Sequence, residues 1–312
     1  MPNKQLTLSI LSIEVMKNRT SLLFLIYFFL ISCSKSESEV VTTPINPTKE
    51  TIKNIVFDVE FTGLVDLPQD TGGDHAAYPL TPESKSGLGY YAYTPGGYHD
   101  NEMKYPLILF LHGSGQSGIR EFPELLNKVL DHGPPKLIED NNWNPTYPCL
   151  VLSPQSEGDW SPEGVHRFIE YLIDAYRVDT KRIYITGLSM GGRGCWFYEG
   201  EKGNESYAAA LVPICGRGQP SSVKNLLRTP IWAFHGAEDT VVKPFTNNGS
   251  LQMVNEINSN DPIFKAKLTI YPGVGHDSWI RTYDSSGMST ESLEYDPFDM
   301  TIYDWMFQFR KE

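Results

Sequence analysis

Seven short runs, most of them unbroken in apolar residues, punctuate the chain between residues 89 and 272: Gly89–Tyr93, Pro106–His112, Pro148–Pro154, Arg182–Gly187, Ala208–Cys215, Pro230–His235 and Ala266–Pro272. A strand with one wet face alternates apolar and polar side chains, whereas an unbroken run has no face to give to water. Helical patterns lie between these runs. From Glu163 to Tyr176 the residues Val165, Phe168, Ile169, Leu172, Ile173 and Tyr176 fall on one helix face. Ile302, Trp305, Met306 and Phe309 repeat that spacing, with Asp299 read as the cap. Strands buried on both sides and separated by such helices predict an α/β domain, a mostly parallel sheet with helices on both faces. Residues 51–312 read as one such domain. Before the first run, Phe57–Phe61 alternates like an edge strand, and Leu67–Lys85 reads as loop over one end of the sheet.

The N-terminus reads as a leader. Lys17 and Arg19 precede the apolar run Leu22–Ile31, which ends in Ser32 and Cys33. A positive segment, a short apolar core and a small residue make up a secretory signal, and about ten apolar residues fall short of the ~20 that span a bilayer. The tetrad Leu30-Ile31-Ser32-Cys33 resembles the lipobox of bacterial lipoproteins. That resemblance implies cleavage after residue 32, lipidation of Cys33, and anchoring to a membrane on its outer side. Residues 33–50, rich in Ser, Thr and Pro, then form a tether. The whole chain carries a formal charge of −12, and residues 1–32 hold three basic and one acidic residue, so the remainder stands at −14. No Lys/Arg run offsets this, which argues against a nucleic-acid partner.

Four segments carry the chemistry: Leu111-His-Gly-Ser-Gly115, Gly187-Leu-Ser-Met-Gly-Gly192, His235-Gly-Ala-Glu-Asp-Thr-Val-Val242 and Gly273-Val-Gly-His-Asp-Ser-Trp279. The second is G-x-S-x-G between a strand and a helix, a spacing in which the glycines leave room for a sharp turn that exposes the Ser189 hydroxyl. A serine hydroxyl is a poor nucleophile until a base takes its proton. The chain has seven histidines to supply one.

In this order and spacing the four segments resemble the α/β-hydrolase superfamily, most of all its dienelactone-hydrolase and carbohydrate esterase family 1 branch. That branch includes feruloyl and acetylxylan esterases and many predicted peptidases. The resemblance runs from about Gly89 to the C-terminus and implies the order serine, acid, histidine. It makes Ser189 the nucleophile, Asp239 the acid and His276 the base. Glu238 and Asp277 are the competing carboxylates, and His235 and His112 read as local hydrogen-bonding residues. The oxyanion donors would be the amides of Met190 and Ser114, with Gly115 or Gln116 as alternates for the second. Gln155, Trp160 and Trp279 are substrate-lining candidates, since aromatic rings there would stack on a sugar or aryl group.

The expected activity is hydrolysis of carboxylic esters through an acyl-enzyme, on acylated carbohydrate or small aryl and alkyl esters. Two other readings stay open, a peptidase of the prolyl-oligopeptidase kind and a carbohydrate-binding lipoprotein with an idle triad. No zinc-type His/Cys spacing and no phosphate-binding loop occurs, so neither metal nor cofactor is expected. Cys149, Cys195 and Cys215 read as buried free thiols, although export would permit a Cys195 to Cys215 bridge.

Overall fold

The computed structural model describes residues 54–118 and 122–312. The leader, Cys33 and the tether lie outside the described residues. Ten strands are present among the described residues: β1 Ile55–Phe57, β2 Asp74–Tyr78, β3 Gly89–Thr94, β4 Tyr105–Leu111, β5 Leu150–Gln155, β6 Val178–Leu188, β7 Ala208–Ile214, β8 Trp232–Gly236, β9 Lys267–Tyr271 and β10 Phe309–Lys311. The helices are α1 Gly133–Glu139, α2 Pro162–Ala175, α3 Met190–Lys202, α4 Val223–Leu226, α5 Ser250–Ser259, α6 Trp279–Tyr283 and α7 Ile302–Phe307.

Eight strands form one sheet in the order β2-β3-β5-β4-β6-β7-β8-β9. From β5 to β9 neighbours are parallel, and β2 and β3 are added antiparallel at one end. The unbroken apolar runs are explained by two cores, one on each face. Along β4, Leu107, Leu109 and Leu111 enter the core made with α2, α3, α4 and α5. Ile108 and Phe110, between them, enter the core made with α1, α6 and α7. All five side chains are fully buried, each contributing roughly 1.5–3 kcal/mol of apolar transfer.

Three expectations change. Phe57–Phe61 is not an edge strand of the sheet: β1 ends at Phe57 and pairs antiparallel with β10 in a separate two-stranded ribbon. Asp58 ends the strand because its carboxylate turns inward, where Arg182 Nη2 donates to it at 2.7 Å and Arg310 Nε at 3.1 Å. The Leu67–Lys85 segment is not all loop, since it holds β2. The C-terminal helix is capped by Thr301, whose hydroxyl oxygen accepts from the Asp304 amide at 3.0 Å, and not by Asp299. Among the described residues Cys149, Cys195 and Cys215 are buried free thiols with no bridge between them, and no helix is long and apolar enough to cross a membrane.

Parallel strands deliver their C-terminal ends to one edge. The loops after β4, β6, β7, β8 and β9 therefore open together, and they bring residues 112–116, Ser189, Cys215, Asp239 and His276 to the same place.

Candidate active site

Ser189 stands between β6 and α3 with φ 52° and ψ −111°, a backbone region that side-chain-bearing residues rarely adopt. The turn is held from three sides by backbone contacts that only glycine permits. A Cβ on Gly191 would lie 1.8 Å from the Leu111 carbonyl oxygen, one on Gly187 2.6 Å from Gly191, and one on Gly192 2.4 Å from the Ile214 carbonyl oxygen. The Ser189 amide donates to Ile214 at 2.9 Å, and its carbonyl receives the first helical bond of α3 from Arg193. The serine is thus forced out of the sheet's edge with its hydroxyl free of the helix.

Its partner is His276. The Ser189 hydroxyl donates to Nε2 of His276 at 2.8 Å, and Nδ1–H of His276 donates to Asp239 Oδ2 at 2.6 Å. Asp239 is buried, and three further contacts hold it. Its Oδ1 accepts from the Val241 and Val242 amides at 2.9 Å each, and its Oδ2 also accepts from His235 Nε2–H at 3.1 Å. Burial alone would raise this carboxyl, but the bonds from His235, His276 and Val242 outweigh it and hold the group down to about 2. The acid is therefore ionised at neutral pH and fixes the proton of His276 on Nδ1, which leaves Nε2 as an acceptor. Glu238 and Asp277 are exposed. His235 is tied locally: Nε2–H also reaches the Val242 carbonyl, and Nδ1 accepts from the Ser250 hydroxyl at 2.7 Å.

The loop after β4 runs beside the nucleophile, since a Cβ on Gly113 would lie 3.6 Å from the Ser189 Cβ. Gln116 closes it into one turn, its side-chain oxygen accepting from the Gly113 amide at 3.0 Å. Among the described residues nothing accepts from the amides of Ser114 and Met190. His112 underpins the turn: Nδ1–H donates to the Gly113 carbonyl at 2.7 Å, and Nε2 accepts from the Ser156 amide at 2.9 Å. Burial pushes this imidazole down from 6.5 to about 4, only partly offset by the bond to Gly113. Protons then bind the unfolded chain before they bind the folded one. The His112 contribution is complete above about 6.5 and is lost as pH falls toward 4, by roughly 3 kcal/mol in total. Urea unfolding at pH 7 and pH 4.5 reads this loss, and His112→Asn should flatten the difference; an unchanged difference in the variant would count against it.

One substrate-lining expectation changes. Trp160 is only 4% exposed and lies beneath the loop, its indole N–H donating to the His112 carbonyl at 2.9 Å. Gln155 is braced, its amide donating to the carbonyls of Gln116 at 2.9 Å and Leu125 at 2.7 Å, and it also lines a cavity of about 360 Å³ with Leu88, Pro123 and Ser156. Trp279 does face open space. Its ring meets His276 edge-on at 5.3 Å and lines a cavity of about 600 Å³ shared with His132, Trp143, Tyr283 and Tyr303. Reading the sequence missed His132 and Trp143, because neither belongs to a motif and only the packing of α1 against α6 brings them to Trp279.

Residues 157–296 match the dienelactone hydrolase family. That span carries Ser189, Asp239 and His276, while the loop at 112–116 precedes it. A solved thermostable esterase is 28% identical, with a TM-score of 0.54 over 77% of this chain and 63% of that one. The chain has the α/β-hydrolase fold. An S-formylglutathione hydrolase from Staphylococcus aureus shares the fold at 13% identity, with a TM-score of 0.51 over 77% of this chain and 99% of that one. A bifunctional acetylxylan esterase/xylanase from Neocallimastix patriciarum is 24% identical over 172 residues, which is 51% of this chain. The match spans about a fifth of that relative's length (22%).

Proposed function

We propose that the protein is an extracytoplasmic serine carboxylesterase that acts through an acyl-enzyme on acylated carbohydrate or small aryl and alkyl esters. The observation that carries this reading is the unbroken chain of hydrogen bonds from Ser189 Oγ through His276 to the ionised Asp239. Ser189 Oγ attacks the ester carbonyl carbon as Nε2 of His276 takes its proton, and Asp239 stabilises the resulting imidazolium. Negative charge gathers on the former carbonyl oxygen, toward the free amides of Ser114 and Met190 at the start of α3. His276 returns the proton to the leaving alkoxide, which departs as the alcohol. A water then repeats the sequence on the acyl-Ser189 ester and releases the carboxylic acid.

The Trp279 cavity supports a ring-bearing substrate. It combines aromatic walls with a polar rim that includes Asp131, Lys136 and Asn142, suited to a hydroxylated ring, and Trp279 is the wall residue whose ring also meets His276. The relative whose name includes acetylxylan esterase supports a carbohydrate setting. The leader and lipobox-like Cys33 support export and a membrane anchor.

A panel of acetyl, feruloyl and longer acyl esters, with a matched peptide anilide, tests the reading on intact cells and on fractions. Ester cleavage in the membrane fraction that moves to the soluble fraction in Cys33→Ala is the expected result. Cleavage of the anilide but of no ester would replace the esterase by a peptidase. No cleavage, together with no labelling by a fluorophosphonate, would leave a binding protein.

A further inference from the structure

Behind the triad lies a thiol that the esterase reading does not use. Cys215 follows β7 with φ 41°, is fully buried, and is fixed by its amide, which donates to the Phe234 carbonyl at 2.8 Å. Its Sγ, a carboxylate oxygen of Asp239 and a ring nitrogen of His276 all lie within 4.8 Å of one another. A fourth group joins them. The Ser278 hydroxyl is buried, has no hydrogen-bond partner, and stands close enough to the thiol to favour its anionic form. Burial otherwise pushes the Cys215 thiol up, so at neutral pH it keeps its proton.

We infer that Cys215, Asp239 and His276 form an inhibitory site for a soft divalent cation, with Ser278 as a neighbouring oxygen donor. One thiolate, one imidazole and one carboxylate are the donor set that zinc and cadmium prefer. The two anions neutralise the cation, which offsets the cost of placing it in a buried position. Metal–ligand bonds of about 2.0–2.3 Å set donors roughly 3.5 Å apart, so the three groups close on the ion with shifts of about an ångström. His276 is the access route, since its side chain is 21% exposed.

Binding changes protons in a defined way. The Cys215 thiol gives its proton to solvent as the S–metal bond forms. The cation replaces the proton that His276 Nδ1 shares with Asp239, and that proton ends on Nε2. A histidine protonated on Nε2 and metallated on Nδ1 cannot accept from Ser189. The cation therefore stops the reaction without touching the nucleophile, a consequence that rests on the esterase reading; the binding itself does not.

Cadmium chloride is the probe. The full chain should bind one ion with a thiolate-to-cadmium charge-transfer absorption, lose ester hydrolysis in parallel, and recover it on adding EDTA. Cys215→Ala should remove the band and raise the apparent Kd by about 100-fold, since loss even of an outer-shell partner costs about 10–100-fold. Cys33→Ala, Cys149→Ala and Cys195→Ala should keep both. X-ray absorption of the cadmium-loaded wild type needs no variant to fold, and one sulfur among nitrogen and oxygen ligands is expected. A band that survives Cys215→Ala, or a ligand shell without sulfur, overturns the site. If the chain hydrolyses no ester, the absorption titration and the ligand shell still decide it.

Discussion

Ser189→Ala lowers kcat/KM on a short-chain aryl ester by about 10⁴-fold or more, with the fold intact. The hydroxyl has one hydrogen-bond partner, Nε2 of His276, and no role in the turn, which is held by backbone contacts around Gly187, Gly191 and Gly192. Alanine also suits the backbone at φ 52° no worse than serine. Circular dichroism and the unfolding midpoint should match the wild type, so that lost activity reads as lost chemistry. The residue left over reflects the amides of Ser114 and Met190 acting on water-mediated attack. Activity above a tenth of wild type would remove Ser189 from the mechanism.

Asp239→Asn has the second largest effect, a fall of about 10³–10⁴-fold in kcat, and its cause is a tautomer. Both backbone amides, of Val241 and Val242, point at Oδ1, and both imidazoles, of His235 and His276, point their N–H at Oδ2. All four neighbours are donors, so an amide cannot be turned to suit them. Placed toward Oδ2, the new NH₂ faces His276 Nδ1–H, and His276 must shift its proton to Nε2 to avoid a clash of donors. It then offers Ser189 a proton instead of accepting one. Turned the other way, the NH₂ meets two backbone amides and the loop opens. The tautomer shift is read directly by ¹⁵N NMR of the His276 ring, and a variant that keeps its proton on Nδ1 with full activity would show that the carboxylate is not needed.

The parallel strands were legible because they are buried on both faces, and burial on both faces leaves an unbroken apolar run. The same logic explains the miss at β2. Its residues Asp74–Tyr78 sit at the sheet's end, half or fully exposed, and carry no periodic signal. Ser189, His276 and Asp239 could be picked out because each is a reactive residue type at the end of a strand-like run, in the order the resemblance implies. The surroundings of the site follow from packing instead. Trp160 occupies a position after a strand that looks ligand-facing, yet Gly194 lets α3 approach until a Cβ there would lie 2.9 Å from the Trp160 Cβ. A side chain covered by a helix cannot line a cleft. The bracing of Gln155 could not be seen in the sequence, because a long amide shows its acceptors, the carbonyls of Gln116 and Leu125, only once the loops are packed.

The β1–β10 ribbon has a bearing on approach. Asp58 holds Arg182 near the start of β6, and Tyr184 of the same strand donates to the Phe309 carbonyl at 2.9 Å. Ser189 follows the far end of that strand, seven residues beyond Arg182, or about 20 Å at the usual rise. Asn54 accepts from Arg228, just before β8, which also places it by the starting ends of the strands. The first described residues thus lie on the side opposite to the chemistry. The ribbon is a clamp on the handle of the tool, and it leaves the cutting edge to the loops at the other end of the strands.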